Sequence, residues 1–358
     1  MLSAQSAALL ARLAGEDRIR GISVLLARNA ITDLAAAELL AGGKNNKVIK
    51  LTPLSGPVRI LKVFFRSAWD KRDRLAHEYA FAKFAWQQGL RSLPEPVDAA
   101  SAHQCALFEF VAGGKPPHPP TARMMSEALV FIESLNRNRQ SPAAQALEPG
   151  SEACFSVSVH ISVVEARIAR LRAAPLDDGA RQWIEGDLVP LWDEVKGKLL
   201  ADAADKHVDL RAPLATTERI VSPSDFGFHN AIARVGSGAL CFHDFEYAGW
   251  DDPAKLFGDM FNQIEYPLPV NYLSEVARSF LSLSSHPESL AWRLRWLLPV
   301  YGVKWCCIAL NPLLPTEAAR RQFAGHEAGQ AALGRERAAR QLARASYYQQ
   351  LKDGWADG

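Results

Sequence analysis

Asp225 and Asn230, five residues apart, and Asp244, fourteen further on, are the residues of this chain best suited to chemistry. Phosphoryl transfer needs a carboxylate to take a hydroxyl proton, an amide on the same loop for one metal ion, and a second carboxylate for the metal. The tripeptide Asp225-Phe226-Gly227 spells the metal-binding Asp-Phe-Gly of protein kinases, but the spacing favours another reading. Asn230 makes Asp225 the proton acceptor, and Asp244-Phe245-Glu246 then takes the metal position. Between them, Ala231–Val235, Gly236-Ser237-Gly238 and Ala239–Phe242 read as strand, tight turn and strand. Symmetry about Ser237 predicts that residue 230 pairs with 244 and 231 with 243, so that an amide oxygen and a carboxylate converge as Mg²⁺ ligands. Each of the three residues alone also suits a turn or cap.

A second set lies upstream. Val58–Phe65 is β-branched and aromatic with one interior lysine, and period-two alternation puts Lys62 on the face of Val58, Ile60 and Phe64. An ammonium there needs an anion, or else it snorkels from a sheet edge. Glu78, on a predicted helix from Asp70 to Gln88, borders the inward stripe of Leu75, Tyr79, Ala82 and Trp86 and could supply that anion. Between predicted strands at 38–40 and 48–52, the run Gly42-Gly43-Lys44-Asn45-Asn46 serves equally as a hairpin turn or as a backbone cradle for phosphates.

With these residues in order, the chain resembles the aminoglycoside phosphotransferase and choline kinase superfamily from about Glu38 to about Asn311. The resemblance rests on Gly-Gly-Lys-Asn-Asn, Leu61-Lys62-Val63, Glu78, the segment Phe108–Gly113, Asp225 with Asn230, and Asp244-Phe245-Glu246-Tyr247-Ala248-Gly249. It implies an α+β, two-lobed protein-kinase-like fold with a small antiparallel sheet and a larger, mainly helical lobe. It also implies ATP and Mg²⁺ as co-substrates and a hydroxyl on a small molecule as acceptor. Asp225 would be the base, Asn230 and Asp244 the metal ligands, Lys62 the α/β-phosphate contact and Glu78 its anchor. Gly43, Asn45 and Asn46 would approach the phosphates, and the backbone of Glu109, Phe110 and Val111 the adenine. Two departures stand out. Pro223 occupies the place, two before the base, where relatives often carry His, and Lys255 precedes Leu256 where an acid is common. Pro223 cannot make an imidazole hydrogen bond, so the loop must be held another way. It also motivates the competing reading, a catalytically weak or inactive kinase-like nucleotide-binding protein. No Ala-Pro-Glu follows Asp244, which argues against a protein kinase.

The elements that must position these residues divide the chain at the connector Gly113–Pro120. Residues 1–112 form an expected nucleotide-binding lobe with an N-terminal helical extension, and 113–358 a catalytic lobe with metal and acceptor sites. Helices are predicted over 121–136, 157–173, 179–200, 273–283 and 290–310. Asp252-Pro253 reads as N-cap and first helical residue, leaving Asp251, with Glu246 and Trp250, to meet an acceptor. The alanine- and arginine-rich segment 316–350 reads as a solvated surface helix.

A formal charge of +2 over 358 residues gives no case for nucleic acid or an acidic membrane. The five cysteines lack metal-ligand spacing and read as reduced core thiols of a cytoplasmic protein. The most apolar stretch, 296–310, is too short for a membrane span and is broken by Pro299, Gly302 and Lys304.

Overall fold

The computed structural model describes residues 2–40, 46–66, 72–314 and 331–351. In chain order its principal elements begin with helices α1 (Ala4–Ala14) and α2 (Ile19–Arg28) and strands β1 (Leu34–Leu40), β2 (Asn46–Pro53) and β3 (Arg59–Phe64). Helix α3 (Arg74–Gln87) and strands β4 (Pro96–Ala100), β5 (Cys105–Glu109) and β6 (Gly113–Gly114) follow. Helices α4 (Ala122–Asn136), α5 (Pro142–Gln145), α6 (Val157–Arg172), α7 (Asp178–Trp183) and α8 (Val189–Asp205) come next. The chain continues with strands β7 (Ile220–Ser222), β8 (Ala231–Arg234), β9 (Leu240–Phe242) and β10 (Gly249–Asp251). It then forms helices α9 (Pro253–Asn262), α10 (Leu273–Leu281), α11 (Pro287–Ala309) and α12 (Ala331–Gln350). These elements make two compact units, one of Met1–Pro116 with Ala231–Tyr247, the other of Pro117–Asn230 with the described residues from Ala248 onward.

The first unit is built on an antiparallel sheet in the order β1-β2-β3-β5-β4. Alternation along the strands sends Ile49, Leu51, Leu61, Val63, Cys105 and Leu107 to one face, where they pack with Leu10, Ile22, Leu25 and Leu26 of α1 and α2. Each fully buried aliphatic side chain contributes roughly 1.5–3 kcal/mol. The intervening Lys62 is directed to the other face, where α3 lies, and pairs in register with Val48 and Ala106. Helix α3 is capped by Asp73, whose carboxylate accepts from the amide of Ala76. Its buried stripe is Leu75, Glu78, Phe81, Ala82 and Ala85, so Glu78 sits inside the stripe. The expected stripe members Tyr79 and Trp86 are only partly buried, because Glu78 is drawn inward by Lys62 and the aromatic rings fall to the flank.

Strands β6, β8 and β9 form a separate three-stranded sheet in the first unit. The β8–β9 ladder pairs Ala231 with Phe242, Ile232 with Cys241 and Ala233 with Leu240. This corrects the sequence-based register by one residue. The turn is closed by Arg234 N–H to Ala239 O and Gly238 N–H to Arg234 O, and Gly236 and Gly238 supply its left-handed positions at φ 81° and 65°. The turn centre therefore falls between Gly236 and Ser237, and residues 230 and 244 lie outside the ladder. Asn230 instead ends a 3₁₀ turn, Phe228–Asn230. Gly113 was expected only as connector, yet it pairs with Arg234, and a Cβ there would lie 2.3 Å from the carbonyl oxygen of Ala233.

The second unit is mainly helical. Helices α4, α6, α10 and α11 follow the predicted spans closely, and Thr121 caps α4 through the amide of Met124. The predicted helix over 179–200 is instead α7, a π-helical turn at Ile184–Leu188, and α8. Strand β7 pairs with β10, and the Asn136 side chain braces β7 by accepting from Val221 N–H and donating to Val221 O. Asp252 caps α9 with Pro253 at its first turn. The carboxylate of Asp252 also takes the guanidinium of Arg293 at 3.0 Å and His160 Nε2 at 3.4 Å.

Helix α12 corrects the expectation of a solvated surface helix. Ala338, Gln341, Ala345 and Tyr348 recur at helical spacing and are buried. Gln341 donates to Asn262 Oδ1, Tyr348 donates to Phe261 O, and a Cβ on Gly302 would come within 2.5 Å of Ala345. Alanines whose small side chains suit close helix packing carry no hydropathy signal strong enough to mark the buried face.

Burial opposes a charge on His160, but its bonds to Asp252 and Cys154 and the negative charge of Asp252 outweigh it and raise the imidazole to about 9. A cation favoured in the folded state contributes stability that is complete below pH 6.5 and lost as pH rises through about 9. Thermal melts between pH 6 and 10 should therefore show a decline worth up to roughly 3 kcal/mol, and His160→Gln should flatten it.

Candidate active site

The first unit assembles a buried charge cluster around Lys62. Its ammonium lies 2.6 Å from Glu78 Oε1 and 3.0 Å from Asp244 Oδ1. Lys62 and Glu78 are 7% and 2% exposed, so neither head group snorkels to water. Burial opposes the lysine's charge, but Asp244 and Glu78 more than restore it and push its pKa above the ordinary value. Glu78 is raised by burial, with Lys62 pulling the other way. For Asp244, burial raises and Lys62 and His243 lower, and with hydrogen bonds from Lys62 and Asn46 the carboxyl falls to about 2. Asp244 is thus an ionised carboxylate at neutral pH. Its φ of 70° is left-handed, which a non-glycine residue adopts at a cost of about 1–2 kcal/mol.

Asn46 begins β2 and is buried, and its side chain reaches Asp244. Gly43 and Asn45 lie outside the described residues. Glu109 ends β5, and its N–H is bonded to Glu95 O, which removes that group from adenine recognition. Phe110 receives Lys50 Nζ at 5.0 Å from its ring centre, and Val111 is buried.

The second unit supplies the loop that follows β7. Ser224 has φ 65°, its N–H donates to Ser222 Oγ, and its carbonyl accepts from Phe226 N–H at 2.8 Å. Asp225 is therefore the central residue of a tight turn whose side chain stands out, 38% exposed. Phe226 anchors the next step by stacking on Phe131, 5.4 Å between ring centres and 8° between planes. Asn230 Nδ2 donates to Asp225 O at 2.9 Å, and His229 Nε2 meets Asp225 Oδ1 at 3.1 Å. Asn230 thus spends its amide nitrogen on bracing the Asp225 backbone.

Three expected acceptor contacts are corrected. Asp251 is 1% exposed, and its carboxylate accepts from the amides of Cys154 and Asp252 and pairs with Lys255 at 3.1 Å. Trp250 is buried and donates its indole N–H to Ala144 O. Glu246 is 3% exposed and lies 3.7 Å from the Arg74 guanidinium. All three read from sequence as acceptor contacts, but each has a partner inside the fold. Sequence reasoning missed Ser224, His229 and Lys255. The i, i+4 spacing of Lys255 and Asp259 on α9, with Asp251 four residues before the lysine, was the available signal.

The fold is that of kinase-like phosphotransferases. Solved structures similar to this chain include a spectinomycin phosphotransferase in complex with ADP and spectinomycin, at 12% identity and TM-score 0.56, covering 89% of this chain and 94% of that one. They also include a Plasmodium vivax ethanolamine kinase, at 13% identity and TM-score 0.52, covering 91% and 87%. A choline kinase from Cryptosporidium parvum Iowa II shares 9% identity at TM-score 0.52, with 88% of each chain covered. No family model and no curated protein sequence matches this chain. Among the described residues, no helix is long and apolar enough to cross a membrane, and all five cysteines are buried as free thiols.

Proposed function

We propose that this protein is an ATP- and Mg²⁺-dependent phosphotransferase that moves the γ-phosphoryl group to a hydroxyl of a small molecule such as a sugar or amino alcohol. The observation that carries the reading is the buried Lys62 ammonium held between Glu78 and Asp244. A sheet interior gains nothing from burying Lys62 and Glu78 as ions, since an apolar pair of similar volume is often as stable. A fixed cation and a carboxylate kept ionised are, by contrast, what a polyphosphate and its metal require.

By donor chemistry each residue taken by itself suits a hard cation: Asp244 offers a carboxylate kept ionised, and Asn230 a side-chain amide oxygen. When bound, Mg²⁺ would neutralise charge on the phosphate oxygens. Lys62 would contact the α- and β-phosphates, with Glu78 fixing its direction. Asp225 would align the acceptor hydroxyl and take its proton, a role suited to an exposed carboxylate at the apex of a turn braced at Ser224 and Asn230. With the N–H of Glu109 engaged, an adenine edge would be met by the carbonyl of Glu109 or by Phe110 and Val111. The spectinomycin and ethanolamine enzymes suggest a polar, hydroxyl-bearing acceptor by fold-level analogy.

The test is an ADP-release screen over hydroxylated metabolites with ATP, with and without Mg²⁺. The expected result is acceptor-dependent ADP formation that is abolished by EDTA and restored by Mg²⁺. ATP binding with no turnover on any acceptor would favour the inactive nucleotide-binding alternative.

A further inference from the structure

Pro223 removes one means of holding the base loop, and the second unit shows another. Lys255, on α9, is 2% exposed, and its ammonium meets three acceptors: Asp251 Oδ2 at 3.1 Å, Asp259 Oδ2 at 3.3 Å and Ser224 Oγ at 3.2 Å. An ammonium has three N–H donors. One is directed to the Asp259 carboxylate, and Asp251 adds an ion pair. Another reaches a neutral hydroxyl on the residue immediately before Asp225. Lys255 is not free to turn elsewhere, because Asp259 is itself fixed by Lys304 at 2.8 Å and by the indole of Trp305 at 2.8 Å. Lys255, Lys304, Asp251 and Asp259, with Glu152 3.9 Å from Lys304, thereby form a charge network that includes α11, and Ser224 is tied to it.

Ser224 needs such a tie. Its left-handed φ is uncommon for a residue with a side chain, and an untethered serine would relax toward ordinary backbone angles. The turn closed by Phe226 N–H on Ser224 O would open with it, and the Asp225 carboxylate would leave its orientation.

We propose that Ser224 and Lys255 are positioning residues for the transfer reaction: the Lys255 ammonium locks Ser224 in its left-handed conformation and so aims Asp225 at the acceptor hydroxyl. The inference rests on the function proposed above. Neither residue is assigned a contact with substrate, so their loss should act on turnover and leave nucleotide capture alone.

Two replacements separate the tie from the backbone strain. Ser224→Ala removes the hydroxyl and keeps the unfavourable φ, whereas Ser224→Gly removes the hydroxyl and makes that φ easy. ADP release from MgATP, with an acceptor found in the screen, should give a kcat at least tenfold lower for Ser224→Ala, with part of that loss recovered in Ser224→Gly. KM for ATP should stay within about twofold and the melting temperature within a few degrees. Lys255→Arg, which keeps a buried cation with several donors, should lose less than either serine variant.

Wild-type kcat in Ser224→Ala would overturn the tie while leaving the phosphotransferase reading intact. So would a loss in Ser224→Gly as large as in Ser224→Ala, because the left-handed φ would then not be what the tie holds. Parallel loss of kcat and ATP affinity would also overturn it, as the mark of general disruption. Wild-type protein without Asp225-dependent ADP release would remove the phosphotransferase reading and this inference with it.

Discussion

Asp225→Asn should bind ATP with unchanged affinity and turn over about a thousandfold more slowly than wild type. General-base catalysis by a positioned side chain contributes roughly 10² to 10⁴ in rate, and alignment of the acceptor hydroxyl adds to what the carboxylate supplies. The amide is isosteric and can still occupy the apex of the turn at Ser224–Phe226, so the fold is unaffected. What it lacks is the capacity to take a proton. Single-turnover phosphoryl transfer, measured beside equilibrium binding of ATP, separates the two effects. Equal single-turnover rates in variant and wild type would exclude Asp225 as the base.

Lys62→Met should have the other large effect, on both stability and turnover. The thioether fills much of the lysine's space, but Glu78 and Asp244 would then share a buried site without a cation. Removing one partner of a buried ion pair costs about 3–5 kcal/mol. Protonation of Glu78, already favoured by burial, would absorb part of that cost. Lys62→Met combined with Glu78→Gln should accordingly recover much of the melting temperature without recovering ADP formation. A single variant as stable as wild type would show that the cluster contributes little to folding. A double variant with restored turnover would show that Lys62 does not touch phosphate.

Much of this arrangement was written in local sequence. Period-two alternation in β3 identified the face of Lys62, because one charged residue in an apolar strand can be answered only by an anion on the packed side. Glu78 was found for the same reason. Strands β4 and β5 were not found. Cys105-Ala106-Leu107-Phe108 is almost wholly buried and so shows no alternation, and Pro96-Val97-Asp98-Ala99-Ala100 has weak strand propensity.

The hairpin was legible but its register was not. Two glycines flank Ser237, and the choice between a turn centred on the serine and one centred half a residue earlier depends on which left-handed positions close the loop. The misplacement of Asp251, Trp250 and Glu246 has a different origin. Polar and aromatic residues beside a catalytic motif read as ligand contacts, whereas Ala144 and Arg74, the partners of Trp250 and Glu246, lie more than a hundred residues away, and the i,i+4 pair of Asp251 with Lys255 was not weighed.

Helix α12 also bears on how this protein can vary. Ala345 lies against Gly302, and Gln341 and Tyr348 are bonded to Asn262 and Phe261 at the end of α9. Arg340 is exposed and pairs within the helix, with Glu336, whereas Arg335 reaches Asp177, the N-cap of α7. Any enlargement at 302, 338 or 345 would wedge the terminal helix away from the same α9 that carries Lys255. Genetic tolerance in this distal segment is thus coupled to the helix that steadies the reacting loop, and neutral change there is confined to the solvent side.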